Sequence, residues 1–168
     1  MPAPPSTNET TTSDHSAAPQ TDPGDRPRVL LERRYRFCAS HLYRRPEWSE
    51  EKNRAHFGPC ANLPGHGHNY RLQITVSGVV DPLTGFLCDL PALDASVRRE
   101  IVEQLDHQHI NHAIEAFHPG GLIPSSEELV IWMLQRLEPQ LPSGCRLEIL
   151  RLEEDDDLAA EWRRSILD

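Results

Sequence analysis

The sequence predicts an α+β protein, and three patterns carry that reading. Two stretches alternate apolar and polar residues with the two-residue period of a strand. In the first, Val29, Leu31, Tyr35 and Phe37 alternate with Glu32, Arg34 and Arg36; in the second, Tyr70, Leu72, Ile74 and Val76 alternate with Arg71, Gln73 and Thr75. Two others have helical spacing, with Leu93, Val97, Ile101 and Leu105 every four residues and an apolar set from Leu129 to Leu137. A short run at Leu147, Ile149 and Leu152 adds a third strand.

Taken in order, residues 1–27 are rich in Pro, Ser, Thr and Asp, offer almost nothing to bury, and are expected to be a disordered extension. The first strand follows from Val29 and delivers His41 near its end. Residues 43–59 are charged, contain Pro46 and Pro59, and read as a long loop. After the second strand, Asp81-Pro82-Leu83-Thr84-Gly85 has the chemistry of a turn and leads into Phe86-Leu87-Cys88. A helix fits Pro91 to Leu105, with proline at its start. Another fits Ser126 to Glu138, where Ser125 or Ser126 caps and Leu129, Ile131, Trp132, Met133, Leu134 and Leu137 supply buried positions. The third strand ends at Glu153. Propensity alone favours a helix over Leu158 to Arg163. No internal repeat is evident.

Composition excludes several classes. A chain of 168 residues with 38% hydrophobic content suits one domain, assigned to residues 28–168. A formal charge of −9 and no basic cluster interleaved with aromatics argue against nucleic acid as the main partner. The four cysteines form no CxxC pair and read as reduced thiols, with Cys38, Cys88 and Cys145 as small buried hydrophobes. An apolar run of membrane-spanning length is absent, as is a signal-peptide pattern, so the expectation is a cytoplasmic protein without a membrane partner.

The chemistry concentrates around Gly65-His66-Gly67-His68. Two histidines one residue apart on a strand project to the same face. A third on a neighbouring strand would complete a zinc site whose fourth tetrahedral position stays open for water or substrate, as a catalytic zinc requires. The Asp106-His107 pair could orient and charge an imidazole for acid–base work, or could be a polar helix-to-loop junction. Cys60, in a loop-like setting of Gly58, Pro59, Ala61 and Asn62, could serve as a base if metal and imidazole lower its pKa.

Several motifs in one order resemble the 6-pyruvoyltetrahydropterin synthase family, which includes the bacterial 6-carboxytetrahydropterin synthases of queuosine biosynthesis. They are Phe37-Cys38-Ala39-Ser40-His41, Phe57-Gly58-Pro59-Cys60 and Gly65-His66-Gly67-His68-Asn69-Tyr70. There follow Asp81-Pro82-Leu83-Thr84-Gly85 with Asp89, Leu105-Asp106-His107 with Asn111, Ser125-Ser126-Glu127 and Leu152-Glu153. The resemblance covers roughly Arg28 to Arg163. It implies a tunnelling fold (T-fold), in which an antiparallel sheet carries two helices on one face and protomers assemble into a barrel. By that analogy Leu158 to Arg163 becomes the last strand. The implied assembly is a homohexamer of two stacked trimers with active sites at subunit interfaces.

Carried over by residue, the resemblance makes His41, His66 and His68 the zinc ligands, Cys60 the proton-abstracting base, and Asp106 and His107 its relay partners. Glu153 matches the glutamate that accepts hydrogen bonds from the pterin, with Glu127, Ser125 and Ser126 beside it. The implied reaction is zinc-dependent conversion of 7,8-dihydroneopterin triphosphate to 6-pyruvoyl-tetrahydropterin with release of triphosphate. Alternatives are the 6-carboxytetrahydropterin reaction, which also releases acetaldehyde, and a non-catalytic zinc- or pterin-binding module. The six-residue step from Cys60 to His66 resembles the pyruvoyl type. Pro59 and Asp94 stand where relatives commonly carry Lys, and the loop around His118-Pro119-Gly120-Gly121 is long. His56, His109, His112 and His118 read as surface or supporting residues, Trp132 as core, and Glu153 as the one functional member of the solvated acidic run Glu153 to Asp157.

Overall fold

A computed structural model of the chain describes residues 26–165. The disordered extension expected for residues 1–27 lies almost entirely outside the described residues. The alternating runs form the predicted strands. β1 (Arg28–His41) and β2 (His66–Val79) pair antiparallel along their full lengths, from Arg28 opposite Val79 to His41 opposite His66. β4 (Cys145–Glu153) pairs antiparallel with β2, and β5 (Ala159–Arg163) with β4. The two-residue β3 (Gln108–His109) runs parallel to β1, so the sheet order is β3-β1-β2-β4-β5.

The period-two stripe explains the core. Tyr35, Phe37 and Ala39 on β1, Tyr70, Leu72, Ile74 and Val76 on β2, and Leu147, Leu150 and Leu152 on β4 are all buried. Against them pack Leu93 and Val97 of α2 (Leu90–Val97), Ile101 and Leu105 of its continuation, and Leu129, Val130, Met133 and Leu137 of α5 (Ser126–Leu137). The predicted Pro91–Leu105 helix is therefore present, capped by Asp89. It passes through a π-helical stretch at Arg98–Val102 into α3 (Glu103–Leu105), followed by α4 (Ile110–Ala113). Ser125, in extended conformation, is the cap of α5 and accepts from the Glu128 amide. Trp132 packs partly buried against the core.

Three expectations need correction. Within residues 43–59 lies α1 (Glu50–Phe57), capped by Ser49. Its sequence is too polar to announce itself; instead the buried Asn53 amide bonds back to Arg45, Trp48 and Ser49, and Trp48 stacks on Phe57. On β4 a bulge leaves Glu148 between the Ile149↔Thr75 and Leu147↔Val76 pairs, so Leu150 rather than Ile149 takes the core face. Cys88 is buried, but Cys38 and Cys145 are only partly so, Cys38 because it alternates with the inward Phe37 and Ala39. Leu158 to Arg163 contains β5, the last strand that the resemblance implies, since pairing with β4 outweighs the local helix propensity.

The face of the sheet away from the helices is charged. Arg71 and Arg151 both bond Glu153, and Arg151 also pairs with Glu161. Asp94 is engaged by Arg33 and Tyr35, joining α2 to β1. Among the described residues no helix is long and apolar enough to cross a membrane. Leu150→Ala leaves a cavity in the β4–helix layer and should lower stability by about 2–5 kcal/mol, read from denaturant midpoints.

Candidate metal centre and adjoining cleft

The apolar stripe of the sheet does not stop at a loop; it changes chemistry. On β1 the inward series Tyr35, Phe37 and Ala39 ends in His41, and on β2 the series Leu72 and Tyr70 continues into His68 and His66. Because His41 pairs with His66 and Ala39 with His68, the register brings all three rings to one place. Their centroids form a triangle with sides of 4.7, 4.7 and 4.9 Å. The turn into β2 needs glycine: Gly65 has φ +110°, and a Cβ there would lie 2.3 Å from the His41 carbonyl oxygen.

The nitrogens converge. His41 Nε2 lies 3.2 Å from His66 Nε2, and one ligand atom from each histidine lies within 4.8 Å of the others. His41 is fully buried, and burial together with the neighbouring His66 and His68 lowers its pKa to about 3. Burial also lowers that of His66. His41 therefore stays neutral and keeps a nitrogen lone pair for a cation. Its other nitrogen, Nδ1, is 3.1 Å from the Tyr70 hydroxyl, which selects the tautomer with Nε2 free when Nδ1–H donates to the tyrosine oxygen. His68 Nε2 is buried without an aligned hydrogen-bond partner, as expected of a donor atom meant for a metal.

One residue in this centre escaped the sequence reading. Glu154 is only 5% exposed, so the acidic run is not a solvated turn throughout. Its Oε1 is 3.2 Å from His68 Nε2 and 3.9 Å from His41 Nε2, and its Oε2 accepts from the Ser126 hydroxyl at 2.5 Å. Asp155 Oδ2 lies 3.2 Å from His68 Nδ1. The missed signal is the inward series Leu150, Leu152, Glu154, which continues just past the end of β4 what β1 and β2 do within their strands. Glu153 points to the opposite face, bound by Arg71 and Arg151, and the fold does not bring it to the histidines.

Cys60, on the 3-10 turn Gly58–Ala61 after α1, has its Sγ 3.9 Å from His66 Nε2. Burial and the Glu154 carboxylate push its thiol up from the usual range. Beside this centre opens a cleft of about 520 Å³ whose lining includes Tyr43, Phe57, Ser125, Ser126, Glu127 and Glu154, so the Ser-Ser-Glu motif is placed where a ligand could enter. Asp106 and His107 are not part of it. The Asp106 carboxylate accepts from the Cys38 amide, and His107 stands out into solvent at φ 58° with its Nε2 4.0 Å from Asp106 Oδ2.

The fold and the site together define an α+β protein with a three-histidine metal-type centre at the end of an antiparallel sheet. Residues 30–165 match the family model for 6-pyruvoyl tetrahydropterin synthase, and the chain belongs to that family. It is 31% identical over 135 residues to the 6-pyruvoyl tetrahydrobiopterin synthases of Pongo abelii and Homo sapiens, covering 80% of this chain and 92% of each relative. The structure of Caenorhabditis elegans 6-pyruvoyl tetrahydropterin synthase superposes with a TM-score of 0.74 at 30% identity, covering 83% of this chain and 98% of that one. The fold is accordingly the T-fold anticipated from the motifs.

Two outcomes follow for the metal-free protein. Because His41 titrates near pH 3 folded and near 6.5 unfolded, the unfolded chain binds the extra proton between those values. Its contribution to stability is therefore present above pH 6.5 and is lost as pH falls toward 3, by up to about 1.4 kcal/mol per pH unit. Denaturant unfolding across that range should show a shallower loss in His41→Gln. Gly65→Ala should disrupt the close approach to His41 and weaken metal uptake, measured by metal content after dialysis.

Proposed function

We propose that this chain is a zinc-dependent lyase that converts 7,8-dihydroneopterin triphosphate to 6-pyruvoyl-tetrahydropterin and triphosphate. The observation that carries the reading is the convergence of His41, His66 and His68 with the Cys60 thiol 3.9 Å from one of them, at the edge of a cleft lined by Ser125, Ser126 and Glu127. The names of the relatives support the pyruvoyl type.

Zinc fits the donor set, since neutral imidazoles are its common ligands. Bound there, it would supply Lewis acidity to the side-chain hydroxyls of the substrate. The chain's own residues do the rest. The cleft takes the flat pterin, with Glu127 and the serine pair as hydrogen-bonding groups at its wall. Tyr43 and Phe57 line the same cleft and give it aromatic surface for a flat ring. Cys60 takes the proton from the carbon beside the hydroxyl. Its thiol is held up without a cation, so the base becomes competent once a positive charge is beside it.

Glu153 faces away from this cleft, and the pterin-side role expected of it passes to the carboxylates that do line it, Glu127 and Glu154. The exposed Asp106–His107 pair is suited to act on the site of a neighbouring protomer in a homohexamer. That assignment accounts for a relay pair that one chain does not bring to its own Cys60.

The test is to incubate zinc-loaded protein with 7,8-dihydroneopterin triphosphate and identify the products by mass. Triphosphate and 6-pyruvoyl-tetrahydropterin are expected. Acetaldehyde would instead establish the 6-carboxy reaction, and absence of triphosphate release would leave only a binding module. Cys60→Ala should keep zinc and lose turnover by about 100-fold or more, in the range of a lost general base. His66→Ala should lose zinc.

A further inference from the structure

We propose that Arg45 binds the phosphate tail of the substrate and makes the cleft selective for a phosphorylated pterin over an unphosphorylated one. The inference rests on the reading of the cleft as a pterin triphosphate site and deepens it, because it names the chain's own contact for the anionic end.

Charge points there first. The other charged side chains lining the cleft are Glu127, Glu128 and Glu154, and Arg45 is the one cation of that lining among the described residues. A triphosphate carries several negative charges, which the carboxylates repel and a guanidinium attracts. The amino and ring N–H groups of a pterin are donors and suit the carboxylates instead, so the lining sorts the two ends of the substrate.

The bonding of Arg45 leaves it available for this. Its sequence neighbour Arg44 pairs with Glu50, and Arg33, Arg71 and Arg136 hold Asp94, Glu153 and Glu100. Among the described residues Arg45 forms no such ion pair; its Nη1 donates to the carbonyl of Gly121, a neutral acceptor, at 2.8 Å. A guanidinium presents several N–H donors in a planar fork, so one carbonyl leaves the rest for phosphate oxygens, which the fork fits in bidentate geometry. The arm is also anchored at its root. The buried Asn53 amide accepts from the Arg45 N–H at 2.8 Å and donates to the Arg45 carbonyl at 3.0 Å. Helix α1 thus carries Asn53 to where the backbone of Arg45 is held while its side chain lines the cleft. Held at both ends, by Asn53 and by Gly121, the side chain has less freedom to lose when an anion arrives.

The experiment uses the full zinc-loaded chain carrying Cys60→Ala to prevent turnover, titrated in a calorimeter with 7,8-dihydroneopterin triphosphate and, separately, with 7,8-dihydroneopterin. Adding Arg45→Gln, which keeps an N–H donor for the Gly121 carbonyl, should weaken the triphosphate by about 10–100-fold, the range of a lost charge-assisted contact, and leave 7,8-dihydroneopterin unchanged. Arg45→Lys, which keeps the charge, should recover most of that loss. An Arg45→Gln protein that binds the triphosphate as tightly as its parent, or that loses both ligands by the same factor, would overturn the proposal while leaving the pterin site in place. A parent chain that binds neither ligand would overturn the reading of the cleft and the proposal with it.

Discussion

The constraint on which the structure depends is the register between β1 and β2. Fourteen consecutive pairs align Arg28 with Val79 at one end and His41 with His66 at the other. Side chains alternate with a period of two, so a slip by one residue would turn Tyr35, Phe37, Ala39 and His41 away from the helices together. Core and site therefore stand or fall as one object. The same inward stripe that places Leu72 in one core cluster with Leu93 and Met133 ends in the histidines, and hydrophobic burial at one end holds the metal-type centre at the other.

That coupling accounts for the electrostatic character of the centre. Imidazoles at the end of a buried stripe lose solvation, which favours their neutral form and frees their lone pairs. The dry surroundings that pack the core thus also prepare the donors. Just beyond β4, Glu154 brings a carboxylate into the same environment, with a serine hydroxyl from the first turn of α5 as its hydrogen-bond donor. Helix α5 contributes in two ways: Leu129, Met133 and Leu137 seal the sheet, and its N-terminal Ser-Ser-Glu segment walls the cleft.

Polar contacts add to this frame. Asp94 joins Arg33 and Tyr35 to tie α2 onto β1. As an acceptor for both a guanidinium and a phenol, the carboxylate serves as a structural link.

The sequence by itself determined the alternation of β1 and β2, the two principal helices, the histidine triad and the family. Periods, caps and the His66-Gly67-His68 pair are legible because they are local in sequence, and His41 joined that pair through the order of the short motifs. Tertiary structure decided what depends on partners far along the chain. Helix α1 is organised by the buried Asn53 amide instead of an apolar face, and β5 takes its conformation from pairing with β4. Which glutamate enters the centre turns on an alternation that runs Leu150, Leu152, Glu154 and on the bulge at Glu148 that sets its phase. A motif match counts residues along the chain, whereas a bulged strand distributes them between two faces. That difference separates Glu153 on the charged face from Glu154 beside His68.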